Sequence, residues 1–394
     1  MASLLKQEKL LLIAAIVAII CMFVEHSLLA AGQTVSLIAA AVLIAVIVLA
    51  STRVAHHAEV LAHKVGDPYG TMILTLSAVA VEVMILAIML GGTSSPPLVR
   101  DTIYSAVMLD INGILGLAAL IGGLRHGEQP YNDNSGKTYG VMILTAMGIS
   151  MIVPEFVPDD RWHYYSAFTI VAMIALYALF LKMQVGPHSY FFSYAYPRQK
   201  KVTAQPTGIV EPPASATLAM TNAAAQPTGE NATGVSPQAE EEETSAATAI
   251  AVILVGVVVI GFLAEFMAAF LDAGIEGTDT PPGLMAIVVA SISAAPEILT
   301  ALRAALRNRM QSVINIAMGA SLSTVILTVP VMEAIALYTG QPFIMAMTPV
   351  QTVMVVITLI VAAINLNDGE TNAIEGMTHF VLFATFIMLT ILGL

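Results

Sequence analysis

The chain has 394 residues, of which 57% are hydrophobic and only 11% charged, where soluble domains carry about a quarter. That composition excludes a water-soluble globular protein, and the one cysteine, Cys21, excludes internal disulfides and cysteine-rich metal sites. The formal net charge of −12 says little about partners, because much of it falls in a single loop.

Apolar runs occupy residues 9–24, 30–52, 70–92, 101–124, 138–157, 163–185, 247–271, 283–306, 311–338, 345–366 and 375–393. Each approaches the ~20 residues that a ~30 Å hydrocarbon core requires of a helix. The runs are continuous rather than alternating, which excludes a β-barrel. The expected fold is an all-α polytopic membrane protein of about 11 transmembrane helices. Lys6 and Lys9 precede the first run as in a signal peptide. The run reaches Glu25-His26 without a small-residue cleavage site, so it reads as a retained span.

With the N-terminus in the cytoplasm, every lysine and arginine except Arg100 and Arg161 falls on the cytoplasmic side. That bias predicts a multi-pass protein of the inner membrane with a cytoplasmic N-terminus and central loop. Residues 187–246 are rich in Ala, Thr, Pro and Gln and include the run Glu240-Glu241-Glu242-Glu243. Such a segment cannot bury enough apolar surface to fold alone, so it reads as a disordered acidic linker. Its sequon Asn231-Ala232-Thr233 carries no weight in a cytoplasmic loop.

The two halves share a faint pattern. AEVLA (58–62), Gly70 and Glu82 in the first half correspond to AEFMA (264–268), Gly283 and Glu297 in the second. The copies lie five spans apart, an odd offset, so they cross the membrane in opposite senses. The predicted organisation is an extra helix at 1–29, a five-helix repeat at 30–186, the linker, and an inverted five-helix repeat at 247–394. In such architectures ions bind near mid-membrane, where the repeats meet.

Glu82 lies about twelve residues from either end of its run, and Glu297 fourteen residues after Gly283. At ~1.5 Å per residue both sit near mid-bilayer, where an ionised acid costs at least ~3 kcal/mol. Pro296 removes a backbone donor next to Glu297 and frees a carbonyl one turn earlier, which lipid tolerates only beside a polar cavity. Ser77, Ser291 and Ser293 add hydroxyls on these segments. The following spans contribute Ser105, Asp110 and Asn112, then Asn315, Ser321, Ser323 and Thr324, with Gly319 and Ala320 allowing close helix approach. His379 reads as a lone, structurally satisfied residue, and His56, His57 and His63 as residues of the inner interface. The candidate ligands are all oxygens, which suits calcium, sodium or other hard cations and disfavours zinc and copper.

The stretches AEVLAHKVGDPYGTMILTLSAVAVEVMIL, RDTIYSAVMLDINGILG, GFLAEFMAAF and SISAAPEILTALRAALRNRMQSVINIAMGASLSTVILTVPV resemble the cation/calcium exchanger superfamily. Within it the chain is similar to bacterial ChaA-type calcium/sodium(potassium)–proton antiporters. The resemblance implies that Glu82 and Glu297 are the exchanging carboxylates. It also implies that Glu59 and Glu265 are acids along the pathway, and that Asn112 matches an asparagine of the helix after the first site. Typical calcium/proton exchangers carry Gly-Asn four and three residues before each glutamate, where this chain has Ala78-Val79 and Ser293-Ala294. Two amide ligands are thereby absent, leaving calcium, sodium and potassium open as cargo.

The expected function is antiport of cations against protons by alternating access, with protons and cation competing for Glu82 and Glu297. A monovalent cation/proton antiporter and an uncoupled channel are the alternatives. An enzyme is disfavoured: the chain lacks G-x-S-x-G, P-loop and H-E-x-x-H patterns. No cofactor is expected. The expected partners are inorganic cations, protons and the lipid bilayer, with no nucleic acid; composition does not specify an oligomeric state.

Overall fold

In lipid every backbone N–H and C=O must find its partner within the protein, and the apolar runs accordingly coil into helices. The computed structural model describes residues 8–65, 69–91, 97–194, 245–278, 281, 283–340 and 344–394. The first half comprises α1 (Lys9–Ala30), α2 (Gln33–Val65), α3 (Tyr69–Gly91), α4 (Leu98–His126), α5 (Asp133–Phe156) and α6 (Trp162–Val185). The second comprises α7 (Ala246–Ile275), α8 (Gly283–Ser293), α9 (Ala295–Leu306), α10 (Met310–Thr339), α11 (Pro349–Asn365) and α12 (Ala373–Ile391).

Among the described residues, eight helices are long and apolar enough to cross a membrane. The other three predicted runs take different forms. Apolar segments fall on Thr75–Ile88 of α3 and on α11, both shorter, while the run at 283–306 is two helices bent by 60°. This last is a correction to the expected single span. Pro296 stands in the first turn of α9, where its missing N–H would be unpaired in any case. It therefore starts a new helix instead of kinking an old one.

The central helices are α4 and α10, each interrupted by a π-helical turn, at Leu109–Leu115 and Thr324–Thr328. Helix α2 packs along α7, α8 against the first half of α4, and α12 against its second half. The α4–α12 crossing needs glycine. A Cβ on Gly376 would run into the backbone of Ala119 and Leu120, and one on Gly116 would come within 2.8 Å of the His379 Cβ. Gly319, expected to permit close helix approach, sits at no such crossing: a Cβ there would meet only Tyr139, at 3.7 Å. A two-stranded pairing of β1 (Gln129–Pro130) with β2 (Glu370–Thr371) departs from the all-helical expectation and ties the loops after α4 and α11 together.

The first residues of the expected linker, up to Tyr194, are among those described. Ser189–Phe192 forms a 3-10 turn whose carbonyls at Tyr190 and Phe192 accept hydrogen bonds from Asn132 and Asn315, and the Phe192 ring packs on Tyr139 and Phe180. The aromatic cluster gives this end of the segment an apolar anchor. The sequon, the acidic run and the His63 side chain lie outside the described residues.

At the start of α1, buried Glu8 accepts hydrogen bonds from the Arg53 guanidinium at 2.6 and 3.1 Å and lies 2.8 Å from His57 Nε2. Burial alone would push this carboxyl up, but the hydrogen bonds from Arg53 and His57 outweigh it and hold it below the usual carboxylate range. A depressed native value stabilises the fold above the ordinary carboxylate range, and that contribution disappears as pH falls through the native value. Glu8→Gln should therefore melt below the wild type at pH 7, with the difference shrinking as pH falls below the ordinary carboxylate range and gone once pH is below the native value. Thermal unfolding of both proteins across that range checks this.

Candidate functional site

Glu82 is 4% exposed, on the face of α3 that meets the π turn of α10. The hydroxyls of Thr324 and Thr328, one turn apart in that segment, donate to its Oε2 at 2.9 and 3.3 Å, while Oε1 is buried with no hydrogen-bond partner. Glu297 occupies the first turn of α9, where backbone N–H groups and the helix dipole favour negative charge. Its Oε2 is likewise buried and unpartnered. Asp110, 2% exposed in the π turn of α4, accepts from the Ser321 hydroxyl at 3.2 Å.

All three acids line one cavity of about 240 Å³, the space of roughly eight water molecules at ~30 Å³ each. Ser77, Ser293, Asn315, Ser323 and Thr324 share its wall, and exposed Glu59 and Thr300 mark its open end. Among the described lining residues no lysine, arginine or histidine balances the acids. Ser77, Ser293 and Ser323 each donate to carbonyls one turn back on their own helices, at 2.7, 3.0 and 2.9 Å. Their protons are thus committed, and the oxygen lone pairs are left to serve a cation. Among the described residues no three His, Cys, Asp or Glu side chains converge tightly enough to form a ready-made metal cage.

The remaining predicted residues stand apart from the cavity wall. Ser321 is buried behind it, bonded to Asp110. Ser291 is half-buried on α8, and Glu265 is exposed on α7. Asn112 is fully buried between α4, α11 and α12, where its Nδ2 donates to Thr358 Oγ1 at 2.8 Å. His379, expected to be lone, has Nδ1 at 2.9 Å from Asn112 Oδ1.

Two residues escaped the sequence reading. Thr328 was legible as the i+4 mate of Thr324. Glu333 is 1% exposed on α10, takes a hydrogen bond from Ser166 of α6, and keeps an unpartnered Oε2 away from the cavity. Its isolation in an apolar run was the same signal that singled out Glu82.

Fold and cavity together define a polytopic helical membrane protein with three acids gathered at one cavity. The chain belongs to the sodium/calcium exchanger protein family, whose model matches residues 35–186 and 248–392. It is 30% identical over 382 residues to the sodium-potassium/proton antiporter ChaA of Escherichia coli, covering 96% of this chain and 94% of that one. It is 23% identical to a Ca(2+)/H(+) antiporter of Aphanothece halophytica, over 84% and 83% of the two chains. The solved structure of native YfkE superposes with a TM-score of 0.66 at 17% identity, covering 93% of this chain and 99% of that one. The H+/Ca2+ exchanger CAX does so with a TM-score of 0.57 at 15% identity, over 97% and 88%. At those identities the solved structures establish the fold.

Proposed function

We propose that the protein is a cation/proton antiporter that expels calcium, and sodium or potassium with it, by alternating access, with Glu82 and Glu297 as the carboxylates that proton and cation share. One observation carries this reading: two acids from widely separated segments face one cavity, each with a buried oxygen that has no hydrogen-bond partner among the described residues. Two protons, or one divalent cation, neutralise the pair. An empty pair would take two negative charges through low dielectric, at a cost of several kcal/mol per ion. That cost suppresses the empty transition and enforces exchange.

Asp110 and the hydroxyls of Ser77, Ser293, Ser323 and Thr324 support the site, and Glu59 at the open end attracts cations toward it. In this reading the helices form two inverted five-helix repeats after the extra N-terminal helix. The paired π turns of α4 and α10 and the packing of α2 along α7 support that arrangement. The positive-inside bias supports a cytoplasmic side for Glu59 and the open end, and for the 187–246 linker, in this reading.

A monovalent cargo is the second reading. It is favoured by Ala78-Val79 and Ser293-Ala294, which present no side-chain amide, and by the name of the Escherichia coli relative. Uptake into everted vesicles, measured separately with calcium, sodium and potassium, tests both. Uptake should require an acid interior and collapse when the proton gradient is dissipated. Flux that ignores pH would identify a channel and end the antiport reading.

A further inference from the structure

Asn112 and His379 lie off the cavity, yet their arrangement is specific. Asn112 stands two residues after Asp110 in the same π-helical turn, Leu109–Leu115. Its amide is used at both ends: Oδ1 faces His379 Nδ1 at 2.9 Å, and Nδ2 donates to Thr358 Oγ1 at 2.8 Å. A carbonyl oxygen can only accept, so Nδ1 carries the ring proton and His379 is the donor. All three residues are fully or nearly fully buried: Asn112 0%, Thr358 0% and His379 2% exposed.

A π turn holds one more residue than the α-helical turn it replaces and survives where surrounding contacts favour it. Residues two apart on a helix point to roughly opposite sides, so with Asp110 on the cavity Asn112 faces away from it, against α11 and α12. Thr358 and His379 come from those two helices, so the amide is held from both. Glycine makes the contact tight, since Gly116 leaves room for the His379 Cβ.

We infer that His379 is a positioning residue of the cation site: by donating to Asn112 it fixes the π turn of α4 and thereby the placement of the Asp110 carboxylate in the cavity. The inference rests on reading that cavity as the cation site. Groups that orient the side chains touching a cation typically govern its affinity by roughly ten- to a hundredfold.

The test is proton-driven cation flux in proteoliposomes of the purified full chain, with calcium, sodium or potassium chloride varied in turn. His379→Phe keeps a planar ring and removes the donor. It should raise the half-saturating cation concentration about tenfold while the maximal rate stays within about twofold. His379→Gln retains an N–H that can reach Asn112 and should restore half-saturation to near the wild-type value. Asn112→Leu removes the bond to Thr358 as well as that to His379 and should raise half-saturation at least as far as His379→Phe. A His379→Phe protein that melts earlier but saturates like the wild type would show a role in packing alone and overturn the inference. So would a His379→Gln protein as impaired as His379→Phe. If His379→Phe fails to reach the membrane, His379→Leu against His379→Gln gives the same comparison. A wild type without proton-coupled flux would instead defeat the antiport reading itself.

Discussion

Replacing either Glu82 or Glu297 by glutamine is expected to abolish proton-driven cation flux while the protein still folds. Glutamine preserves the volume, and its carbonyl oxygen can take the hydrogen bond that Thr324 gives Glu82 at 2.9 Å. What disappears is the ability to release a proton and hold a cation in its place. Losing one charge of a desolvated pair costs ~2–5 kcal/mol, or a factor of roughly 30 to several thousand in an equilibrium. The two substitutions should be equally severe, since each leaves the cavity one charge short. Vesicle flux measured beside the melting temperature of the purified variant separates lost exchange from lost fold. Either variant retaining half of the wild-type flux would remove its carboxylate from the proposed exchange.

Gly319→Leu should reduce flux by roughly tenfold or more, because an apolar constriction strips a cation of water without replacing it. Gly319 lies on the cavity wall near Asn315 and Ser323, and a Cβ there meets only Tyr139 ring and hydroxyl atoms, at 3.7–4.0 Å. That is ordinary contact, so the backbone does not demand glycine. Gly319 itself lines the cavity, whose volume is about 240 Å³, so a leucine side chain is expected to take up part of that space. Gly319→Ala should stay within about twofold of the wild type, since a single methyl leaves most of that space. Flux assays on the two variants, normalised to inserted protein, give the comparison. Equal activity in both would mean that cations bypass this wall.

The sequence reading of Gly319 was a close helix crossing, and the contrast with Gly376 shows where such readings fail. Small residues on an apolar helix are compatible with a tight crossing and with a cavity wall alike. Only the neighbour opposite each one distinguishes them: a helix backbone too near for a Cβ at Gly376, the Tyr139 ring at ordinary contact distance for Gly319. The same limit applies to the polar side chains. Ser323 and Thr324 line the cavity, while Ser321 on the same helix is buried behind it. Ser321 and Ser323 stand two apart on the regular α-helical part of α10, about 200° around the axis, so the period puts them on opposite sides without saying which side is the cavity.

Some properties follow from the residues alone. Lipid offers no hydrogen bonds, so apolar runs of this length must become helices, and an acid within one must be neutralised or used. That logic singles out Glu82, Glu297 and Asp110 and anticipates a disruption at Pro296. Tertiary structure decided the rest: the 60° break that starts α9 immediately before Glu297, the threonine pair on Glu82, and the Asn112–His379 link behind Asp110. Each depends on how helices rotate and cross. That rotation is set by contacts between residues far apart in the chain, which no local pattern encodes.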